Sequence, residues 1–356
     1  MTNVNQYGWK ALIGSAVGYA MDGFDLLILG FMLSAISADL NLTPAQSGSL
    51  VTWTLIGAVV GGIVFGALSD RYGRVRVLTW TIVLFAVFTG LCAIAQGYWD
   101  LLIYRTIAGI GLGGEFGIGM ALAIEAWPAK HRAKAASYVA LGWQVGVLAA
   151  ALLTPVLLPH IGWRGMFVVG IFPAFVAWYL RTRLHEPEIF SQKQTALSTQ
   201  KTSKLESFKL LVKDKATTKV SLGVVVLTSV QNFGYYGIMI WMPNFLSKQL
   251  GFSLTKSGLW TAVTVCGMMA GIWIFGRLAD RIGRKPSFLL FQLGAVISII
   301  TYSQLTDPTA MLVAGAFLGM FVNGMMGGYG ALMAEAYPTE ARATAQNVLF
   351  NLGRAV

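Results

Sequence analysis

Ten apolar runs, each about the length a helix needs to cross the hydrocarbon core of a bilayer, follow one another along this chain, separated by short polar breaks. An eleventh opens near residue 343. The spacing predicts spans at residues 10–34, 47–69, 76–97, 99–126, 135–158 and 163–182, then 221–246, 257–279, 286–304 and 308–336. The expected fold is therefore an all-α membrane protein. Composition agrees: 56% of the residues are hydrophobic and 12% charged, against about 45–50% and 25% in soluble domains.

The runs are written twice. Gly66-Ala-Leu-Ser-Asp70-Arg71-Tyr-Gly-Arg74 returns 210 residues later as Gly276-Arg-Leu-Ala-Asp280-Arg281-Ile-Gly-Arg284, and at the same offset Glu125 answers Glu335 and Arg132 answers Arg342. Six helices at 1–183, a polar linker at 184–220 and an incomplete second set at 221–356 are expected. Arg354 answers Gln144 in the middle of the fifth span, so the sequence is expected to stop inside helix eleven.

Basic residues orient the spans. Placing the N-terminus in the cytoplasm puts all but Arg105, Arg164, Lys248, Lys256 and Arg354 of the 26 Lys and Arg on the inner side. The net charge of +11 then reflects topology and attraction to anionic lipid, with no nucleic-acid partner expected. Cys92 and Cys266 fall inside spans, while His131, His160 and His185 sit near loops without zinc-ligand spacing. Neither a metal, a cofactor nor an enzymatic constellation is expected.

Residues kept in both copies, namely Asp70/Asp280, Arg71/Arg281, Arg74/Arg284, Glu125/Glu335 and Arg132/Arg342, all lie at the inner face and read as paired cytoplasmic latches. Charges present in one copy alone lie within the membrane: Asp22 answers Asn232, Asp25 answers Tyr235, Arg105 answers Gly315 and Glu115 answers Met325. Asp22 and Asp25 are three residues apart and share a helix face, with Asp22 about 18 Å into its span. Charged groups at that depth are costly and mark functional sites. Gly57, Gly61, Gly62 and Gly66 form a small-residue stripe suited to close helix packing. Gly109, Gly111 and Gly114 spell a formal G-x-G-x-x-G, but a dinucleotide fingerprint needs a preceding strand, and this one sits within a membrane run.

The Gly-x3-Asp-Arg-x-Gly-Arg signature at Gly66 to Arg74, with the Arg-x3-Gly-x3-Gly run at Arg105, Gly109 and Gly113, resembles the major facilitator superfamily. Within it, Asp22-Gly-Phe-Asp25 is similar to aromatic acid:proton symporters. The stretch from Gly113-Gly-Glu-Phe-Gly to Glu125-Ala-Trp-Pro and Arg132-Ala-Lys-Ala resembles sialate and related metabolite:proton symporters. The resemblance implies a major facilitator fold of two six-helix repeats, a substrate site between them, alternating access, and usually a monomer. It also implies that Asp22, Asp25, Glu115 and Arg105 carry the proton coupling in the bacterial inner membrane.

Charge counting fits such a carrier. Asp22, Asp25 and Glu115 against Arg105 and Arg354 leave one net negative charge, so an incoming carboxylate calls for a proton. Arg354 is the expected anchor, because guanidinium grips carboxylate with two parallel donors. Gln144, Asn232, Tyr235, Tyr236 and Trp241, with Phe24 and Trp143, are expected around it. Proton-driven export of hydrophobic compounds, and uptake of sialate or a small monocarboxylate, are the alternatives on the same fold.

Overall fold

A computed structural model of the chain describes residues 6–182, 184, 186, 206–241 and 254–355. Every regular element among them is helical: α1 (Gln6–Asp39), α2 (Pro44–Tyr72), α3 (Arg74–Cys92), α4 (Tyr98–Gly113), α5 (Glu115–Glu125), α6 (Arg132–Thr182), α7 (Lys215–Tyr236), α8 (Leu254–Ile282), α9 (Arg284–Ser303), α10 (Pro308–Gly324), α11 (Met326–Ala336) and α12 (Arg342–Ala355). A further α-helical turn, Glu206–Lys209, precedes α7, and 3-10 turns lie at Ala129–His131, Leu210–Val212 and Thr339–Ala341. Eight helical segments among the described residues are long and apolar enough to cross a membrane. Large apolar side chains such as Trp53, Leu152, Phe172 and Phe233 point outward and are exposed, as lipid-facing helices require.

Two spans depart from the expected continuous helices. The fourth breaks at Gly114 into α4 and α5, and the tenth breaks at Met325 into α10 and α11. The fifth and sixth run together as α6, kinked at Gly162 (φ 65°). The seventh continues from α7 into wider π-type turns at Gly237–Trp241, and its expected remainder to residue 246 lies outside the described residues, as does most of the linker.

Glycine explains the repeated signature. Gly73 (φ 109°) and Gly283 (φ 95°) let the chain reverse between α2 and α3 and between α8 and α9, in a region where a side chain clashes with the backbone. The small-residue stripe of α2 packs as expected, on two neighbours. Gly57 and Gly61 lie against the α4 backbone at Thr106 and Ile110, while Gly62 and Gly66 face Asn351 and Asn347 of α12. The formal G-x-G-x-x-G is likewise a packing surface: Gly109 meets the backbone of Thr54, and Gly111 that of Thr81 and Phe85.

Candidate functional site

At the basic end, each half grips a helix of the other. Asp70, at the end of α2, accepts hydrogen bonds from the Ala343 and Thr344 amides (3.3 and 2.8 Å) and the Thr344 hydroxyl (2.6 Å). Asp280, at the end of α8, accepts from the Ala133 and Lys134 amides (3.2 and 3.0 Å). Both carboxylates thus cap the positive end of a helix from the opposite half. Arg74 bridges Asp70 (2.5 Å) and Glu125 (3.3 Å), and Glu125 also binds Arg342 across the halves (3.1 Å).

The second copy is looser. Arg284 pairs with Asp280 (2.8 Å) and Glu335 (2.6 Å), but the Glu335 side chain is 38% exposed whereas that of Glu125 is fully buried. Arg132 lies beside Arg342 electrostatically, and its Nε has no hydrogen-bond partner among the described residues. Arg71 and Arg281 point to solvent, with Arg71 5.3 Å above the Tyr72 ring.

Within the membrane, Asp25 and Arg105 form a two-pronged pair at 2.8 and 3.1 Å, both 0% exposed. Glu115 opens α5 at the break and accepts a 2.7 Å hydrogen bond from the Thr81 hydroxyl of α3. Asp22 is buried one helical turn before Asp25 on α1 and lies within electrostatic reach of Arg354 and Tyr19. The four expected coupling residues are therefore all buried, but distributed over distinct surroundings.

Arg354 reaches a cavity between the halves, lined by Tyr19, Trp143, Gln144, Gln231, Asn232, Tyr235, Tyr236, Asn323, Met326 and Phe350. Its Nε donates to the Tyr236 hydroxyl (2.8 Å), and the guanidinium sits 5.4 Å over the Trp143 ring. Trp143 Nε1 donates across the halves to the Tyr235 hydroxyl (3.0 Å). The space, about 20 Å³, admits about one water molecule and is too small for an organic anion.

Helix order, the repeated latches and a cavity between the halves match a known carrier architecture, and residues 15–356 match the Major Facilitator Superfamily. The chain belongs to that superfamily. This facilitator is 90% identical to a Haemophilus influenzae protein named for metabolite transport, over 100% of this chain and 88% of that one. It is 31% identical to the cis,cis-muconate transport protein of Acinetobacter baylyi, over 99% of this chain and 86% of that one. The proton:xylose symporter XylE, bound to 6-bromo-6-deoxy-D-glucose, shares the fold (TM-score 0.77, 20% identity, covering 99% of this chain and 86% of that one). The protein is thus a membrane transporter and not an enzyme.

Of the expected cavity residues in this facilitator, Arg354, Gln144, Asn232, Tyr235, Tyr236 and Trp143 meet at the cavity. Phe24 packs instead with Ile28, Leu29 and Phe167, and the Trp241 side chain lies outside the described residues. Tyr19, Gln231, Asn323, Met326 and Phe350 complete the lining without having been singled out from sequence. A signal existed for two of them: Gln231 answers Met21 and Asn323 answers Gly113, one-sided polar groups inside apolar runs.

Proposed function

We propose that the protein takes up an organic carboxylate together with protons by alternating access in the bacterial inner membrane. Residues 1–183 and 221–356 are the moving halves, 184–220 the cytoplasmic linker, and the basic end the cytoplasmic gate of a monomer. One observation carries this reading: a guanidinium, Arg354, lines the cavity between the halves among aromatic rings. A partly buried cation that faces a cavity suits a carboxylate, which it binds with two donors. The Acinetobacter relative named for muconate supports an organic acid as cargo.

Asp22 is the proposed site of proton uptake, because it lies within reach of Arg354 and its charge competes with a carboxylate for that guanidinium. The Asp25–Arg105 pair and Glu115 are proposed to complete the coupling route. Reconstituted protein should accumulate radiolabelled 4-hydroxybenzoate above protein-free liposomes when an inward proton gradient is imposed, and Arg354→Gln should reduce this at least tenfold. Accumulation unaffected by Arg354→Gln would remove the anchor from the proposal. Proton-driven efflux in place of uptake would favour an exporter.

A further inference from the structure

The cavity contains more than a cation. Gln144 of α6 and Gln231 of α7 come from opposite halves and both line it. They are 1% and 3% exposed, and Oε1 of each has no hydrogen-bond partner among the described residues. The Gln231 amide is held from behind, since its Nε2 donates to Asn323 Oδ1 at 2.8 Å. Gln144 lies beside the Tyr235 hydroxyl. Acceptor oxygens buried without a donor are unfavourable, and such groups in a ligand cavity point to a ligand that supplies the missing donors.

The charged atoms have the opposite need. Arg354 Nη2 is a buried donor lacking an acceptor, and Arg354 is the one charged residue lining the cavity among the described residues. A ligand that satisfies both ends presents acceptors to Arg354 and a donor to the glutamines. A second carboxylate at the far end would meet neutral amide oxygens, with no counter-cation there.

We infer that the substrate is a monocarboxylate bearing a hydrogen-bond donor, such as a hydroxyl, at the end remote from the carboxylate, with Gln144 and Gln231 as its specificity-determining residues. This rests on the proposed carboxylate reading of the same cavity. Hydroxyl recognition by buried amides is a discriminating device, because an analogue lacking the hydroxyl leaves those amides unpaired. The two glutamines lie in different halves, so the hydroxyl end of the substrate also joins the halves.

Isothermal titration of the detergent-purified protein with two matched trios tests this. One trio is 4-hydroxybenzoate, benzoate and terephthalate; the other is 4-hydroxybutyrate, butyrate and succinate. In whichever trio binds, the hydroxy acid should bind at least tenfold more tightly than its parent acid, and the diacid most weakly. Gln144→Leu and Gln231→Leu should each reduce the ratio of hydroxy-acid to parent-acid affinity at least tenfold, with a cooperative thermal melt showing that the variants fold. Equal binding of hydroxy and parent acids, tightest binding of a diacid, or an equal loss across a trio in both variants would overturn the inference. Binding that depends on Arg354 without hydroxyl discrimination removes this inference and keeps the carboxylate reading. Failure of all six acids to bind removes both.

Discussion

Asp22 and Asp25 are three positions apart, yet their surroundings differ. Asp25 is locked to Arg105 by two hydrogen bonds in a fully buried pair, whereas Asp22 is near the cavity guanidinium Arg354. Removing one member of a buried ion pair leaves the other charge uncompensated, at about 3–5 kcal/mol. Asp25→Asn should therefore lower thermal stability in detergent by that order, and Asp22→Asn much less. In transport, Asp22→Asn should abolish proton-driven accumulation while sparing some substrate exchange. Accumulation that keeps its full proton dependence in this variant would exclude Asp22 as the coupling group. The internal repeat made these one-sided charges legible in the sequence. It did not reveal that Glu115 is held by Thr81, because Thr81 is an unremarkable residue in an apolar run until α3 and α5 pack together.

Among the helices, the two latches are related by sequence but unequal in burial. Asp70 makes three hydrogen bonds to the start of α12, one from the Thr344 hydroxyl, and its side chain is 1% exposed. Asp280 makes two to the start of α6, and its side chain is 9% exposed. Charge-assisted hydrogen bonds of this kind contribute about 1.5–3 kcal/mol. Asp70→Asn should shift the conformational balance toward opening of the basic end by about tenfold or more, and Asp280→Asn by less. Substrate ranking should stay unchanged in both. Cysteine labelling at the basic end, combined with a substrate panel, checks this; a changed ranking would put Asp70 in the substrate pocket instead.

The linker supplies a third grip. Glu186 accepts from the Arg74, Val75 and Arg76 amides at 2.7, 3.0 and 3.1 Å, capping α3 where Gly73 has turned the chain. Burial is the largest influence on this carboxyl and lifts its pKa above the ordinary range, opposed by those amides and by Arg74. The folded protein then holds the proton more tightly than the unfolded chain. The contribution of Glu186 to stability consequently falls as pH rises from the ordinary carboxylate value through the folded one. Melting temperatures across that window should show a smaller pH dependence in Glu186→Gln than in the parent; an unchanged dependence would mean that other groups set it. The latch residues could be read from the repeat. Glu186 could not, because nothing in the sequence indicates that a linker carboxylate returns to a helix 112 positions upstream.

For the molecule as a whole, span positions and the duplicated plan followed from apolar length and the 210-residue offset. The breaks at Gly114 and Met325 did not, since an apolar run has the same composition whether its helix is continuous or interrupted. The cavity was half legible. Arg354 and Gln144 stand out as a mismatched repeat pair, whereas Tyr19, Met326 and Phe350 line it only because of how the halves meet. On the proposed alternating access, substrate binding and separation of the halves are one linked process. Coupled movement of carboxylate and proton is the central claim. The most direct measurement is the lumenal pH of proteoliposomes containing a trapped pH dye, after an inward 4-hydroxybenzoate gradient is applied with no initial pH difference. The account predicts acidification faster than in protein-free liposomes and lost in Asp22→Asn. A rate equal to that of protein-free liposomes, alongside demonstrated carriage of the labelled acid, would contradict proton coupling.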